Sequence, residues 1–273
     1  MKILNPEIDL ETFYTRIYHA SKKALLLDYD GTLSPLQADR DKAFPYPGVP
    51  EALDSLMQAA DIRLVIMSGR WIKDLTPLLN MARQPEIWGS HGLERLKPDG
   101  SYEIASMDET ALKGLVAADE WIQASGLSDR CEEKPGSLAL HWRGLDKKEA
   151  AKTREKVEQQ WSLFAETWGL SLTEFDGGLE LRVPGRNKRD AVKEILAELD
   201  QNAAVAYLGD DYTDEDGFES IKGIGIGVLV REELRPTAAD LWIKPPEELI
   251  AFLSKWLSDA ERNHDCKDKP FRI

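Results

Sequence analysis

The chain has 273 residues, 42% apolar and 8% aromatic, enough for about two average domains with a sizeable core. Its 35 Lys and Arg against 49 Asp and Glu leave a formal charge of −14, which argues against a nucleic-acid or anionic-membrane binder, whose affinity comes mainly from clustered cations. Two cysteines, Cys131 and Cys266, argue against a disulfide framework or a cysteine-rich zinc site, and the N-terminus has no apolar stretch of signal-peptide length, so a soluble cytoplasmic protein is expected.

Along the chain, short apolar runs alternate with stretches whose apolar residues recur every three or four positions. A strand is predicted over 24–27, then a helix marked by Leu53, Leu56 and Met57, then a strand over 62–67. After the middle of the chain come a helix through Val192, Ile195, Leu196 and Leu199, strands over 203–208, 224–230 and 241–243, and a helix through Leu249, Leu253 and Trp256. Runs this compact suit strands buried on both faces, so a mostly parallel sheet covered by helices is predicted. The run 224–230 is far short of a membrane span. A polar tail follows Asp259.

The middle differs. Two longer amphipathic helices are predicted, through Leu112, Leu115, Val116 and Ile122, and through Val157, Trp161, Phe164 and Trp168. Strand alternation over 137–143 follows the first, and 170–175 and 179–183 follow the second, with Gly177 and Gly178 as a turn. Helix, strand, helix, strand, strand makes a self-contained α+β module closing near Pro184 and Gly185.

The chemistry begins at Asp28-Tyr-Asp-Gly-Thr32, where a buried strand delivers two carboxylates two residues apart. Strand period points both to one side, at the end of the sheet where α/β proteins bind ligands. Carboxylates so close predict either a hard metal ion or a raised pKa on one of them. Gly209-Asp-Asp-Tyr-Thr-Asp214 repeats the pattern, so Asp28, Asp30, Asp210, Asp211 and Asp214 are expected at a common edge. An EF-hand alignment fails, with Tyr212 at the first ligand position and Gly223 where the bidentate Glu belongs. All-oxygen ligands, few of them from protein, suit Mg²⁺, which keeps waters and shares its shell with a phosphate.

These two segments resemble the first and fourth motifs of the haloacid dehalogenase superfamily. Ser68 in Ile66-Met-Ser-Gly-Arg70 matches the second motif and Lys188 the third. Within the superfamily the chain is similar to the trehalose-6-phosphate phosphatases, through Ser68-Gly-Arg70, Gly89-Ser-His-Gly-Leu-Glu94, Glu132-Glu-Lys134, His141-Trp-Arg143, Glu180 and Lys188. Two departures are Trp142, in place of the family's usual tyrosine, and Arg189, in place of a common glycine.

The resemblance implies a doubly wound, Rossmann-like α/β core over 1–108 and 187–273, with an α+β cap over 109–186 acting as a lid. It implies Mg²⁺-dependent hydrolysis of trehalose 6-phosphate, with Asp28 as the nucleophile forming an aspartyl-phosphate and Asp30 as acid and then base. Mg²⁺ would be held by the Asp28 carboxylate, the Asp30 carbonyl and Asp210, with Asp211 and Asp214 acting behind them. Ser68 and Lys188 would bind phosphoryl oxygens. Thr32, Arg70, His91, Glu132, Lys134, His141, Arg143 and Glu180 would contact substrate, His91 being equally readable as a core or hinge residue. The partner expected is a small sugar phosphate, supplied through functional coupling to a trehalose-phosphate synthase, with no nucleic acid or membrane. Phosphatases for sucrose phosphate, glucosylglycerol phosphate or mannosylglycerate phosphate, and a silent sugar-phosphate sensor, are the alternatives. A dinucleotide-binding protein is unsupported, since Gly223-Ile-Gly-Ile-Gly227 is not the required glycine pattern.

Overall fold

The computed structural model describes residues 1–37, 39–59, 61–175 and 177–267, with side chains as far as Glu261. The chain divides into two compact units, Met1–Glu103 with Asn187–Ile273, and Ile104–Arg186. In chain order the elements are β1 (Lys2–Ile3), α1 (Leu10–His19), β2 (Lys23–Asp28), α2 (Val49–Gln58), β3 (Ile62–Met67), α3 (Ile72–Leu79), β4 (Glu86–Gly89), β5 (Glu94–Leu96) and β6 (Tyr102–Ile104). The second unit then contributes α4 (Glu109–Ala124), β7 (Cys131–Lys134), β8 (Ser137–His141), α5 (Lys147–Trp168), β9 (Ser171–Phe175) and β10 (Gly178–Arg182). The first unit resumes with α6 (Lys188–Ala197), β11 (Ala204–Gly209), α7 (Glu215–Ser220), β12 (Ile226–Val230), β13 (Leu241–Ile243) and α8 (Glu247–Lys267).

The first unit is built on one sheet in the order β1-β13-β12-β11-β2-β3-β4-β5-β6. From β13 to β4 every pairing is parallel, and β1 and β5 join antiparallel. All six residues of β2 are buried, because Leu25 and Leu27 enter one core, with α1, α2 and α8, and Ala24 and Leu26 enter another, with α6 and Phe218 of α7. The sheet is thus covered on both faces. β3 and β4 extend it on one side of β2, and β11, β12 and β13 on the other. The carboxyl end of β2 is therefore the switch point where α/β sheets open a crevice for ligands.

Four short strands of this sheet escape the sequence reading. β1, β4, β5 and β6 have two to four residues each, and a charged residue in every one interrupts the apolar run that marks the equally short β13. The helix through Val192 ends at Ala197, before Leu199. The polar stretch after Asp259 is helical as far as Lys267, since α8 continues through it; the Cys266 side chain and residues 268–273 lie outside the described ones. Among the described residues no helix is long and apolar enough to cross a membrane.

The second unit is a four-stranded antiparallel sheet, β7-β8-β10-β9. Leu138, Leu140, Leu179 and Leu181 project from one face and pack on Ala118 and Ile122 of α4 and Val157 and Trp161 of α5. β7 was absent from the sequence reading. Its sequence, Cys-Glu-Glu-Lys, has no apolar alternation, and it is an edge strand defined by pairing with β8. Asp108 caps α4 by accepting from the Ala111 amide, but the first unit already ends at Glu103, slightly before the boundary expected at 108.

One buried charge network ties α6 to the sheet. The Glu86 carboxylate accepts from Arg63 at 2.8 and 2.9 Å, from Arg95 Nε at 2.9 Å and from Trp88 Nε1 at 3.0 Å. Arg95 and Arg63 also bind Glu198, just beyond α6, at 2.6–2.8 Å. Removing one partner from such a set leaves buried charges uncompensated, so Glu86→Ala should lower unfolding stability by about 3–5 kcal/mol, measured by urea titration. Hydrogen bonds from Arg95, and then Arg63, hold Glu198 down from 4.5 to about 2. The stability that wild type gains over Glu198→Gln should therefore be complete above pH 4.5 and vanish as pH falls through about 2, which thermal melts across that range would measure.

Candidate active site

Strand register brings the site together. Asp28 pairs with Met67 across β2 and β3, so Ser68 stands one residue beyond, at the same edge. Leu27 pairs with Leu208 across β2 and β11, so Gly209 sits beside Asp28 and Asp210 immediately follows. Gly31 has φ +86°, and a Cβ there would fall 2.1 Å from Asp210 Oδ2. Only glycine allows both the turn after Asp30 and the approach of the Asp210 carboxylate.

Lys188 is the first residue of α6. Asn187 caps that helix in a reciprocal box with Asp190, which fixes how the chain enters it. The Lys188 ammonium, 5% exposed, donates to Asp28 Oδ1 at 2.5 Å and to Asp214 Oδ1 at 2.6 Å. Asp214 is fully buried and also accepts from the Tyr207 hydroxyl at 2.8 Å and from the Asp210 and Asp211 amides at 3.1 Å. Five hydrogen bonds to these neighbours make the cluster a single connected network.

Its electrostatics are those of acids crowded in a dry place. Burial pushes the Asp28 carboxyl well above the usual range and the Asp214 carboxylate adds to the push, against the pull of Lys188. Burial, then Asp214, drives Asp210 up to about 8. Burial alone would lower the Lys188 ammonium, but Asp214 and Asp28 outweigh it and hold it well above an ordinary lysine.

This donor set fits a small hard cation. Asp28, Asp210 and Asp214 each offer an oxygen, all within 4.8 Å of one another, against the single ammonium of Lys188. Asp210 Oδ1 is buried with no hydrogen-bond partner among the described residues. A buried carboxylate oxygen without a donor, beside two further carboxylates, is what a site adapted to a bound cation shows. Oxygen donors in this number suit Mg²⁺.

Five acids were expected at this edge, and three converge. The Asp30 carboxylate instead forms a two-pronged pair with Arg70, Nε to Oδ2 at 2.7 Å and Nη2 to Oδ1 at 2.6 Å. Asp211 is exposed and accepts from the Tyr212 amide at 2.7 Å, capping the next turn. The reason is local: β2 ends at Asp28, so the strand alternation that would align Asp30 with it stops there.

Arg70 also donates to the Arg40 carbonyl at 2.7 Å and lies over the Tyr29 ring at 5.8 Å, so its guanidinium is spent on the core unit itself. The Ser68 hydroxyl, 1% exposed, accepts from the Arg70 amide at 3.0 Å. The Thr32 hydroxyl is fully buried and unpartnered among the described residues. His91 has φ +57° and packs its ring on Gly69, where a Cβ would meet it at 2.6 Å. Arg189, the departure from the family pattern, pairs with Asp216 at 2.6 Å and Glu219 at 2.9 Å and so bridges α6 to α7.

In the second unit, Glu132, Ala139 and Glu180 are direct cross-strand partners on β7, β8 and β10. Lys134 with Ser137, and His141 with Gly178, follow two residues away and share the face, opposite the leucines that meet the helices. Lys134 and Glu180, each 8% exposed, pair at 2.7 Å, Glu180 accepts from the Ser137 hydroxyl at 3.0 Å, and His141 Nε2 lies 3.3 Å from Glu132. This face is polar at Glu132, Lys134, Ser137 and Glu180 and small at Ala139, with the Phe175 ring lying over Gly178 and 5.2 Å from the His141 ring. Arg143 lies beyond β8 and is exposed.

Two contributors had no sequence signal. Tyr207 reads as one more apolar residue of a buried strand, and Arg235 as one cation in a loop; only contact with the Asp210–Asp214 turn distinguishes them.

A family model described as trehalose-phosphatase matches residues 26–241. A trehalose-phosphate phosphatase of Mycobacterium marinum is 32% identical over 251 residues, covering 87% of this chain and 62% of the relative. The chain thus spans about 62% of the length of that relative. Among solved structures, the C-terminal domain of Candida albicans trehalose-6-phosphate phosphatase is 21% identical with TM-score 0.74, covering 94% of this chain and 99% of that one. A haloacid dehalogenase-like hydrolase from Bacillus subtilis is 14% identical with TM-score 0.56, covering 85% and 99%. These structural likenesses show the fold.

Lys188→Met would leave Asp28 and Asp214 facing each other without the ammonium between them. The variant should lose about 3–5 kcal/mol of stability in the absence of divalent cation. Added Mg²⁺ should raise its melting temperature more than that of wild type, as read by calorimetric melts.

Proposed function

As the chain belongs to the trehalose-phosphatase family, we propose that it is a phosphoric monoester hydrolase that releases inorganic phosphate from trehalose 6-phosphate. The observation that carries this reading is the buried trio Asp28, Asp210 and Asp214, joined through Lys188 at the carboxyl end of β2. Such a site takes an anion only when its own charge has been offset. Mg²⁺, held by Asp28, the Asp30 carbonyl and Asp210, would supply that offset and draw charge from the phosphoryl oxygens.

The chain's own groups account for the rest. Asp28 attacks phosphorus and becomes an aspartyl-phosphate, expelling the sugar oxygen, to which Asp30 delivers a proton. Asp30 then takes a proton from the water that cleaves the acyl-phosphate, returning Asp28 as a free carboxylate. The oxygen that carries the proton of an acid is a weaker acceptor than a carboxylate oxygen, so one of the two Arg70 contacts weakens when Asp30 is protonated. Lys188 and Ser68 hold non-bridging oxygens, and Thr32 offers an unspent hydroxyl. Asp214, engaged by Lys188, Tyr207 and two amides, orients rather than reacts.

Recognition of the sugar is assigned to the polar face of the second unit, with Glu132, Lys134 and Glu180, together with His141 and Arg143. The proposal includes a lid role for that unit, a cytoplasmic location and a substrate supplied by a trehalose-phosphate synthase.

Phosphate release from trehalose 6-phosphate should occur with Mg²⁺ and cease with chelator, and Asp28→Asn should be inactive while folded. A panel of purified sugar phosphates checks the substrate, and preference for another glycosyl phosphate would reject trehalose 6-phosphate. Asp30→Asn should lose about 10²–10⁴-fold in turnover on the sugar ester, whereas with p-nitrophenyl phosphate, whose leaving group needs no proton, it should still release a first equivalent of p-nitrophenol rapidly and then stall at the acyl-phosphate, as read by rapid-mixing kinetics. Glu180→Gln should raise KM for the sugar ester and leave p-nitrophenyl phosphate unaffected.

A further inference from the structure

The Asp210 carboxylate reaches the site with Oδ1 bound to no donor among the described residues, so its aim comes from the backbone that carries it. That backbone is held at every polar group. The amides of Asp210 and Asp211 both donate to Asp214 Oδ2 at 3.1 Å. Their carbonyls turn the other way, to Arg235: Nε donates to the Asp210 carbonyl at 3.1 Å and Nη2 to the Asp211 carbonyl at 2.7 Å. Arg231 adds only a long contact, 3.4 Å, to the Asp210 carbonyl.

Arg235 lies in the connection between β12 and β13, and its side chain is 9% exposed. Nη1 donates to the Pro236 carbonyl at 2.8 Å and to the Glu215 carboxylate. Glu215 also accepts from the Thr237 hydroxyl at 2.9 Å and the Ala238 amide at 2.6 Å, fastening this connection to the start of α7. The Tyr212 ring lies 4.7 Å from the guanidinium, although 69% of Tyr212 is exposed, and so covers it from water.

From this arrangement we propose that Arg235 is a positioning residue for the cation site: by bridging two successive carbonyls it sets the peptide between Asp210 and Asp211 and so aims the Asp210 carboxylate. The inference rests on the reading above that Asp210 binds Mg²⁺. Asp214 pins one edge of the turn and is itself tied to Lys188, while on the opposite edge Arg235 supplies the closer charged anchor and, among the described contacts, the one that spans both carbonyls, Arg231 reaching only the Asp210 carbonyl at 3.4 Å. A lysine would keep the charge but not the rigid fork that spans two acceptors. Outer contacts of this kind commonly account for 10–100-fold in metal affinity.

The test is Mg²⁺ titration calorimetry on the full chain, with hydrogen exchange on the metal-free protein. Arg235→Gln should bind Mg²⁺ about 10–100-fold more weakly than wild type, and the Asp210 and Asp211 amides should exchange faster while those of β11 do not change. Arg235→Lys should be similarly impaired, and it carries the test if the glutamine variant does not fold. Leu253→Ala, a destabilising cavity in the core under α8 on the face of the sheet away from α6, should keep wild-type Mg²⁺ affinity and so separates positioning from loss of stability. Wild-type affinity in Arg235→Gln, or full rescue by lysine, would overturn the proposal. Failure of the wild-type chain itself to take up Mg²⁺ would bring down the reading of the site, and this inference with it.

Discussion

Bringing Asp28, Asp210 and Asp214 into one dry cluster is the unfavourable act that the core unit is organised to perform. Like charges a few ångströms apart in a low-dielectric interior repel strongly. Lys188 offsets part of that repulsion through two short contacts, and the residue shows in the raised carboxyls of Asp28 and Asp210. In the proposed function the surplus negative charge is also the site's useful property, because it would draw a divalent cation and, through that cation, an anionic ester.

Holding such a cluster takes rigid supports, and each is a backbone device. Parallel register sets Asp28, Ser68 and Asp210 on adjacent strand ends. Gly31 removes the one side chain that would occupy the place of the Asp210 carboxylate. The Asn187–Asp190 box sets the entry of α6, hence of Lys188, and Glu198 at the far end of that helix is locked to Arg63 and Arg95. Strain at the site is thus balanced by hydrogen bonds that lie outside it.

The second unit shows how an antiparallel sheet separates two tasks. One face spends its leucines on the helices and makes a core, and alternation leaves the other to Glu132, Lys134, His141 and Glu180. Charged groups there are already paired with one another, so a sugar hydroxyl entering that face would exchange hydrogen bonds with polar groups already held in place.

Much of this was written in the chain. The central strands are legible because burial on both faces demands unbroken apolar runs, and the two acidic segments because carboxylates at strand ends are costly without a chemical use, whereas Ser68 and Lys188 stand out only through the order of the motifs in the family they resemble. Short outer strands such as β4 and β5 were not, since a charged residue breaks their few apolar positions, and β7 was not, since a charged edge strand exists only by virtue of its partner. What the sequence determined by itself is which side chains are present at the ends of which strands. Which of them meet was decided in three dimensions: Asp30 turned to Arg70 and Asp211 to solvent, while Tyr207 and Arg235 joined the cluster from strands and loops with no motif. Hydrogen-bond partnership depends on direction and a few tenths of an ångström, and those are fixed only once the strands are in register and the helices have packed.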